Sequence, residues 1–261
     1  MTKVYAKKSL GQNFLVDRNY IRRVISSVSP DPGDTIVEIG PGRGALTEHL
    51  VASGAQVIAI ELDNELADIL DDRFSGSSNF KVVQGNAIEI DLSKLISPNT
   101  KAKLVANLPY YISTAILQHF IKQREHLSEL VLMFQKEVVE RITAEPGSSE
   151  RGYLTVLVGA AFEVEKLFYV PPAAFRPVPK VQSSVVRLLP KPFSIADTKG
   201  FTDLISFAFA HKRKTLTNNL RVAYKDISRA FAAANIDGQR RAETLTHEEW
   251  TRLLSHLGRE M

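Results

Sequence analysis

The residues best placed to do chemistry begin with a glycine-rich turn, Gly40-Pro41-Gly42-Arg43-Gly44, which follows a β-branched run and opens a helical pattern. Glycines in such a turn permit positive φ angles and let the backbone approach a ligand closely, while the start of the helix offers unpaired N–H groups. Glu61 follows Gly40 by 21 residues, at the end of a second β-branched run, where its carboxylate could accept both hydroxyls of a ribose. The pattern therefore indicates a site for a nucleoside-containing cofactor, with Gly40, Gly42 and Glu61 among its binding residues.

The identity of that cofactor depends on the residues around the glycines. Gly40-x-Gly42-x-x-Ala45 also satisfies a loose dinucleotide fingerprint. Pro41, however, lacks an N–H that would hold a pyrophosphate, and Glu38 would place a negative charge near the phosphates. A carboxylate at that position suits a ligand that carries an ammonium and a sulfonium. We therefore predict that Glu38 binds S-adenosylmethionine, and a nicotinamide dinucleotide stays as the alternative.

The second candidate for chemistry is the tetrad Asn107-Leu108-Pro109-Tyr110, which directly follows a fourth β-branched run. The carboxyl ends of the strands are where open α/β sheets bind substrates. The side-chain carbonyl of Asn107 and the backbone carbonyl of Pro109 could each accept an N–H of adenine N6, which localises the amine's lone pair, and Tyr110 could stack on the base. The tetrad predicts methylation of a planar amine, and a strand-ending turn with a buried Tyr is the alternative.

The elements that must position these residues alternate between strands and helices. This alternation predicts an α/β fold, a Rossmann-like parallel sheet covered by helices on both faces. Together with the predicted cofactor and target amine, it indicates the seven-stranded sheet of S-adenosylmethionine-dependent methyltransferases. We predict strands at 35–39, 56–61, 80–84, 103–106, 130–134, 163–170 and 184–189. A helix is predicted before them at 20–28, and helices are predicted between them at 45–53, 65–74, 114–123, 136–144 and 153–162. The last two strands have no long helix between them, so we expect one of them to be antiparallel at the sheet edge.

A proline-rich linker, Leu189-Pro190-Lys191-Pro192, marks the predicted domain boundary. We assign residues 1–190 to the catalytic domain, with a basic N-terminal arm at 1–19, and residues 191–261 to a small all-α RNA-binding domain. Helices in the second domain are predicted at 201–211, 212–224, 227–234 and 247–257.

Composition restricts the possible functions. The 261 residues are 44% hydrophobic and 24% charged, which is typical of a globular protein with a sizeable core. The chain has no cysteine, which excludes disulfides, thiolate metal sites and a cysteine nucleophile, and we predict no metal site. No apolar run is long enough to span a bilayer. We expect a cytoplasmic protein without a membrane partner.

The net charge of +4 is unevenly distributed. Residues 1–190 carry 21 basic and 21 acidic side chains, whereas residues 191–261 carry 12 and 8. The arm is basic as well. A polyanion that touches both regions is one interpretation, and a solubilising surface is the other. On the first interpretation, the RNA-binding candidates are Lys7, Lys8, Lys212, Arg213, Lys214 and Arg221, the last four along helices of the second domain.

Further motifs carry a family resemblance that spans nearly the whole chain. They are Ser9-Leu10-Gly11-Gln12-Asn13-Phe14-Leu15, the glycine turn, the tetrad, Phe175-Arg176-Pro177-Val178-Pro179-Lys180-Val181 with Ser183, Arg213-Lys214-Thr215-Leu216, and Arg241-Ala242-Glu243-Thr244-Leu245. With these motifs the chain resembles the ribosomal RNA adenine N6-dimethyltransferases. The last two motifs resemble the branch that dimethylates two adjacent adenosines near the 3′ end of bacterial small-subunit (16S) rRNA during ribosome biogenesis. They fit the antibiotic-resistance branch, which modifies large-subunit rRNA, less well.

The resemblance also implies roles for individual residues. Phe175 matches an aromatic residue that closes the pocket opposite Tyr110. Two positions depart from the family's pattern, Asn86 where Asp is usual and Tyr111 where Asn is common. The family's cofactor-binding positions fall on Asn13, Leu15, Gly40, Glu61, Asn86 and Asn107. Its target-amine motif falls on Asn107, Leu108, Pro109 and Tyr110.

The resemblance implies small-subunit rRNA, or a small subunit in assembly, as the partner, and we expect the enzyme to act as a monomer. Three alternatives stay open. They are a large-subunit rRNA adenine N6-methyltransferase, a nicotinamide dinucleotide oxidoreductase and a non-catalytic RNA-binding assembly factor.

Overall fold

A computed structural model of the chain describes residues 6–7, 10–109, 112–192 and 198–257. The sequence analysis assigned roles to Lys8 and Tyr110 and noted a departure from the family's pattern at Tyr111. These three residues lie outside the described residues. The chain forms two compact units. Unit 1 is Met1–Val139 with Glu163–Pro190, and unit 2 is Glu140–Phe162 with Lys191–Met261.

The strands in the described residues are β1 (Phe14–Leu15), β2 (Thr35–Ile39), β3 (Gln56–Glu61), β4 (Phe80–Gln84), β5 (Ala102–Asn107), β6 (Leu127–Gln135), β7 (Phe162–Val170), β8 (Phe175–Arg176) and β9 (Ser183–Pro190). Seven of them form one sheet in the order β4-β3-β2-β5-β6-β9-β7, and the five strands from β4 to β6 are parallel. The central strands are buried, as expected for a parallel sheet covered on both faces, and Ile36 and Val37 are fully buried. The predicted α/β fold with a seven-stranded sheet is therefore confirmed.

The order of the last strands differs from the expectation. β9 pairs antiparallel with β6, so the predicted antiparallel strand is present. It does not lie at the edge, however, because the edge position belongs to β7. The side chains explain the order. Val185, Val186 and Leu188 of β9 are fully buried, whereas β7 exposes Glu163 and Glu165, and charged residues are typical of edge strands.

The helices of unit 1 connect the strands. They are α1 (Arg18–Val28), α2 (Thr47–Ala52), α3 (Asn64–Phe74), α4 (Ser113–Lys122) and the first part of α5 (Lys136–Ile142). Two aspartates define helix starts. Asp17 accepts hydrogen bonds from the backbone N–H groups of Asn19 and Tyr20, and Asp63 accepts one from Glu65. Such capping satisfies N–H groups that have no partner within the helix.

A short antiparallel pair, β1 with β8, fixes the end of the N-terminal arm. Leu15 pairs with Phe175, and both side chains are buried in the core of unit 1. The backbone N–H of Val16 also donates to the carbonyl of Ala174 at 2.9 Å. The sequence analysis did not predict this pairing, because each strand has only two residues and neither shows a periodic pattern.

Unit 2 is helical. It contains the end of α5 and the helices α6 (Tyr153–Ala161), α7 (Thr198–Ala208), α8 (Leu216–Leu220), α9 (Ile227–Ala234) and α10 (His247–His256). Trp250, Phe201 and Leu204 are among its buried side chains. None of the described helices of either unit is both long and apolar enough to cross a membrane.

The boundary of unit 2 differs from the predicted domain boundary. The chain does change unit after Pro190, but residues 140–162 also belong to unit 2, whereas we assigned them to the first domain. Buried Arg151 shows what holds them there. Its guanidinium donates to the carbonyl of Ala144 at 2.9 Å and to that of Leu245 at 3.2 Å. Gly159 of α6 lies so close to His247 that an added Cβ would overlap the imidazole ring.

The predicted helix at 212–224 is wrong at both ends, because the helix there is Leu216–Leu220 and Arg221 follows it in a turn. The helix begins only at Leu216, because the Thr215 hydroxyl accepts the N–H of Asn218 and caps the helix there. Lys212, Arg213 and Lys214 therefore lie in a turn before α8 rather than along a helix. We call residues 211–214 the basic turn.

Candidate functional site

Unit 1 contains a cavity of about 790 Å³ at the carboxyl ends of β2, β3 and β5, next to the glycine turn. This is the size range of sites for small molecules and cofactors. The structure brings together in its lining all the residues predicted to bind cofactor, Asn13, Leu15, Glu38, Gly40, Gly42, Glu61, Asn86 and Asn107. Leu108 and Pro109 of the tetrad line the same cavity.

Two glycines shape the turn that lines the cavity. Gly40 and Gly42 have φ angles of +63° and +58°, which side chains rarely adopt. A Cβ at Gly42 would also lie 3.0 Å from the ring of Phe14. A hydrogen bond from the Gly40 N–H to the carbonyl of Ile60, at 2.9 Å, fixes the start of the turn to β3.

Backbone N–H groups fix the carboxylate of Glu61, which lines the cavity. It is 5% exposed, and its two oxygens accept N–H groups from Gly42 and Asp63, each at 3.0 Å. Burial raises the pKa of Glu61, and these N–H groups oppose the shift. Each oxygen keeps a second lone pair, so the carboxylate can still accept the two hydroxyls of a ribose.

Glu38 is more deeply buried, at 2% exposed, and accepts a hydrogen bond from the Thr47 hydroxyl at 2.7 Å. Burial raises the pKa of Glu38 to about 7, and repulsion from Glu61 adds to the shift, against the effect of Thr47. A cationic ligand would favour the ionised form. This carboxylate therefore fits a ligand with an ammonium or sulfonium better than one with phosphates. The sequence analysis missed Thr47, since no residue pattern links it to Glu38.

Asn107 ends β5, and its side-chain Nδ2 donates to the backbone carbonyl of Asn13 at 3.1 Å. Because a carbonyl can only accept, the amide nitrogen faces the arm and Oδ1 is left as an acceptor. The carbonyl of Pro109 accepts the N–H of Ile112 at 3.3 Å and keeps its second lone pair. Leu108 is buried and donates its N–H to Met133 at 3.4 Å, which fixes the tetrad to the neighbouring strand.

Asn86 and Phe175 occupy different surroundings. Asn86 lines the cavity, and its Nδ2 donates to Glu89 at 2.9 Å, while its Oδ1 accepts the N–H of Ile88. Contact with an adenine edge stays a prediction. Phe175 is fully buried in the core and is not among the described residues that line the cavity. Its place opposite Tyr110 stays a prediction too.

The predicted RNA-binding residues are mostly exposed. Lys212, Arg213 and Lys214 in the basic turn, and Arg221 after α8, are exposed, and the Lys212 ammonium donates to the carbonyl of Ser149. Lys7 is engaged within the chain, since its ammonium lies 2.5 Å from Asp63 and 3.5 Å from Glu65. Lys7 therefore forms ion pairs within the chain, and its contact with RNA stays a prediction.

Lys7 belongs to a cluster that the sequence analysis missed. The side chain of Gln12 donates to Asp63 at 3.0 Å and accepts the backbone N–H of Lys7 at 2.8 Å. We call Lys7, Gln12 and Asp63 the arm latch. Gln12 lies in a motif that carries the family resemblance, and Asp63 follows Glu61 by two residues, but no local pattern pairs them.

The strand order, and the cavity lined by the predicted cofactor-binding residues, define the class of S-adenosylmethionine-dependent methyltransferases. A dimethyladenosine transferase from Plasmodium falciparum shares the fold, with a TM-score of 0.78 and 26% identity over 92% of this chain and 95% of that chain. The 23S rRNA methyltransferase ErmE has a TM-score of 0.71 and 26% identity, over 94% of this chain and 99% of that chain.

The family model for ribosomal RNA adenine dimethylases matches residues 4–258, and the chain belongs to this family. A curated relative from Xylella fastidiosa, the ribosomal RNA small subunit methyltransferase A, is 44% identical over 254 residues, which cover 95% of this chain and 94% of the relative. The chain is therefore an enzyme, a methyltransferase whose cofactor is S-adenosylmethionine, as its residues predicted.

Proposed function

We propose that this enzyme dimethylates the N6 amines of two adjacent adenosines near the 3′ end of small-subunit (16S) rRNA during ribosome biogenesis. The observation that carries the proposal is the position of Asn107. Asn107 lines the same cavity as Glu38 and Glu61, the two buried carboxylates that suit the cofactor, and its Nδ2 is bound to the Asn13 carbonyl, which leaves Oδ1 to accept a hydrogen bond. The curated relatives, which are named for the small ribosomal subunit, support the choice of substrate.

In the proposed reaction, the cofactor supplies an electrophilic methyl group, and the residues of the chain prepare the amine. Glu61 would hold the ribose and Glu38 the cationic part of the cofactor. In the first transfer, Oδ1 of Asn107 and the carbonyl of Pro109 would each accept one N–H of adenine N6, and in the second transfer the single remaining N–H would bond to one of them. These bonds draw the nitrogen's lone pair out of the aromatic ring, and fixed acceptors need no reorganisation during transfer. No strong base is needed, because the nitrogen becomes acidic once it is methylated.

The basic side chains fit an RNA partner. Arg18, Arg22 and Arg43 line the cavity, where they could contact the phosphates next to the target nucleotide. We assign the basic turn and Arg221 of unit 2 to more distant phosphates, as in recognition of folded RNA by shape. Unit 1 would then select the base, and unit 2 would supply much of the affinity. We expect a cytoplasmic monomer that acts on the small subunit in assembly.

The nearest rival is methylation of large-subunit rRNA, favoured by the similarity to the 23S rRNA methyltransferase in fold. The two substrates are distinguished by incubating the enzyme with labelled cofactor and either undermethylated small subunits or large subunits, then mapping the modified bases. We expect label on two adjacent adenosines near the 3′ end of the small-subunit rRNA. Label on the large subunit alone would replace this proposal by its rival, and no label on either would reject both.

A further inference from the structure

The N-terminal arm does more than cover the cofactor cavity. We infer that the arm latch positions the Asn107 amide for transfer, so that Gln12 and Asp63 are positioning residues for the reaction. This inference rests on the proposed role of Asn107 as an acceptor for the target amine. It begins from the peptide bond between Gln12 of the latch and Asn13, whose carbonyl accepts the Asn107 amide.

The latch is a closed set of polar contacts around a buried carboxylate. The side chain of Asp63 is 1% exposed. One of its oxygens accepts the Lys7 ammonium at 2.5 Å, and the other accepts the Gln12 amide at 3.0 Å. Gln12 in turn accepts the backbone N–H of Lys7 at 2.8 Å, which closes the set. Burial raises the pKa of the Asp63 carboxyl, but the hydrogen bonds from Lys7 and Gln12 outweigh it and hold that pKa below its ordinary value.

The segment next to the latch carries the carbonyl that Asn107 needs. Gly11 has a φ of +60°, and its carbonyl accepts the Asn13 side chain at 3.1 Å, which turns the backbone at this point. The carbonyl of Asn13 then accepts Nδ2 of Asn107 at 3.1 Å. Beyond Asn13, β1 is paired with β8. The segment is therefore fixed at both ends, by the latch and by the strand pair, and it presents one acceptor to Asn107.

That acceptor decides which way the amide of Asn107 points. The terminal torsion of an asparagine is broad, so rotation exchanges the oxygen and the nitrogen at little cost. With the Asn13 carbonyl in place, the nitrogen faces the arm and the oxygen remains for the substrate. Without it, the nitrogen could face the target amine, where two donors would oppose each other.

Asp63 also links the two halves of the site. Its side chain holds the arm, while its backbone N–H donates to Glu61 at 3.0 Å. Asp63 therefore fixes both Glu61, the carboxylate proposed to bind the ribose, and the part of the arm next to Asn107. Loss of the side-chain contacts should affect transfer more than cofactor binding, because the backbone contact to Glu61 survives substitution.

Exchanging the two side chains of the latch gives a sharp test. Gln12→Glu places two carboxylates against each other. Asp63→Asn places two amides against each other, and their NH2 groups meet because the ammonium and the backbone N–H of Lys7 each require an oxygen from one of them. The double variant Q12E/D63N restores one donor and one acceptor with reversed polarity, and it keeps the net charge of the cluster. An amide at position 63 still offers an oxygen to the Glu65 N–H that it caps.

We expect each single variant to lower kcat, at saturating RNA and cofactor, by about tenfold or more, since small misplacement of a reacting group is costly. KM for the RNA should change by less than about threefold, because the basic turn is untouched. The double variant should recover most of the lost kcat. Asp91→Asn is the matched control. Like Asp63, Asp91 caps the start of a helix and pairs with a lysine, Lys94. Among the described residues it has no contact with the arm, so the kcat of the Asp91→Asn variant should equal that of the wild type.

A second readout does not depend on activity. The side-chain amide of Asn107 should give a slowly exchanging NMR signal in the wild type and in the double variant, and a fast-exchanging one in each single variant. If a single variant does not fold, Gln12→Ala removes the same bond at a half-buried position without repulsion and should change both readouts in the same direction.

The outcomes separate the inference from the proposed function. Lower kcat and fast Asn107 exchange in the single variants, with recovery of both in the double variant, support the latch. Unchanged kcat in the single variants, or folded single variants that the double exchange does not rescue, would overturn it. If the wild type labels no small-subunit RNA, the proposed function fails, whereas the exchange of the Asn107 amide still decides whether the latch holds that side chain.

Discussion

The cavity of unit 1 and the basic turn of unit 2 hold their polar groups in opposite ways. In the cavity, Glu38 and Glu61 are almost fully buried, and each accepts identified N–H or O–H donors. In the basic turn, the side chains of Arg213 and Lys214 are exposed. Chemistry needs groups fixed before the substrate arrives, whereas contact with RNA phosphates needs charge more than fixed geometry.

This difference leads to different expectations for substitutions. A change in the cavity should alter the rate or the affinity for cofactor by a large factor that depends little on salt. A change in the basic turn should alter RNA binding by a smaller factor that depends strongly on salt, because counterions are released on binding.

The largest effect is expected for Asn107→Ala. The variant loses the side-chain acceptor for the target amine, so methyl transfer should fall by about 10²–10³-fold, the range for loss of one preorganised hydrogen-bonding group. Cofactor binding should be at least partly retained, because Glu38 and Glu61 are unchanged. The measurements are single-turnover transfer to undermethylated small subunits and calorimetric cofactor binding.

Asn218→Ala, at an exposed asparagine of α8, is the control and should transfer at the wild-type rate. Transfer by Asn107→Ala at the wild-type rate would reject the role of the amide in the reaction.

The next largest effect is expected for Glu61→Ala. Removal of a buried carboxylate that would accept two ribose hydroxyls should weaken cofactor binding by about 10²-fold, since each hydrogen bond to a charged group contributes about 1.5–3 kcal/mol. Titration calorimetry gives the affinity, and the loss should change little between low and high salt. Glu125→Ala, which removes an exposed glutamate of the same unit, should bind cofactor normally. Equal affinity of Glu61→Ala and the wild type would contradict the assignment of the ribose site.

Substitutions in the basic turn are expected to weaken RNA binding, and by a smaller factor than the substitutions in the cavity. Charge reversal by R213E/K214E should weaken RNA binding on the order of 30-fold and lower the slope of log affinity against log salt by about 2. Affinity for cofactor should stay the same. A double reversal at two other exposed lysines, K122E/K199E, provides the control. An unchanged salt slope in R213E/K214E, or an equal loss in the control, would make the basic turn an ordinary solvated surface.

The cavity could be predicted from the sequence because local patterns place its parts. A glycine turn after one strand, Glu61 at the end of the next and Asn107 at the end of another meet at one edge, since the carboxyl ends of parallel strands share that edge. The basic turn was wrongly assigned to a helix, because the charged residues also fit a helical pattern and the capping role of Thr215 was not recognised.

Contacts between distant parts of the chain could not be predicted. Gln12 and Asp63 are 51 residues apart, and Arg151 and Leu245 are 94 apart. No local propensity or period joins such pairs, and they depend on how the elements pack. For this reason the sequence indicated a basic arm but not its latch. It likewise indicated a boundary near Pro190 but not the inclusion of residues 140–162 in unit 2.

The smallest expected effect tests whether burial of Glu38 serves the cofactor's charge. With a pKa of about 7, this carboxyl is mostly protonated at pH 6 and mostly ionised at pH 8. A cation binds the ionised form better, so the protonated form must first lose its proton. Cofactor affinity should therefore fall by about tenfold from pH 8 to pH 6, following the ionised fraction. Proton release measured by calorimetry in two buffers checks the sign. Glu38→Gln should bind more weakly at pH 8 and show a much flatter profile, whereas a flat profile in the wild type would mean that the cofactor's charge does not interact with Glu38.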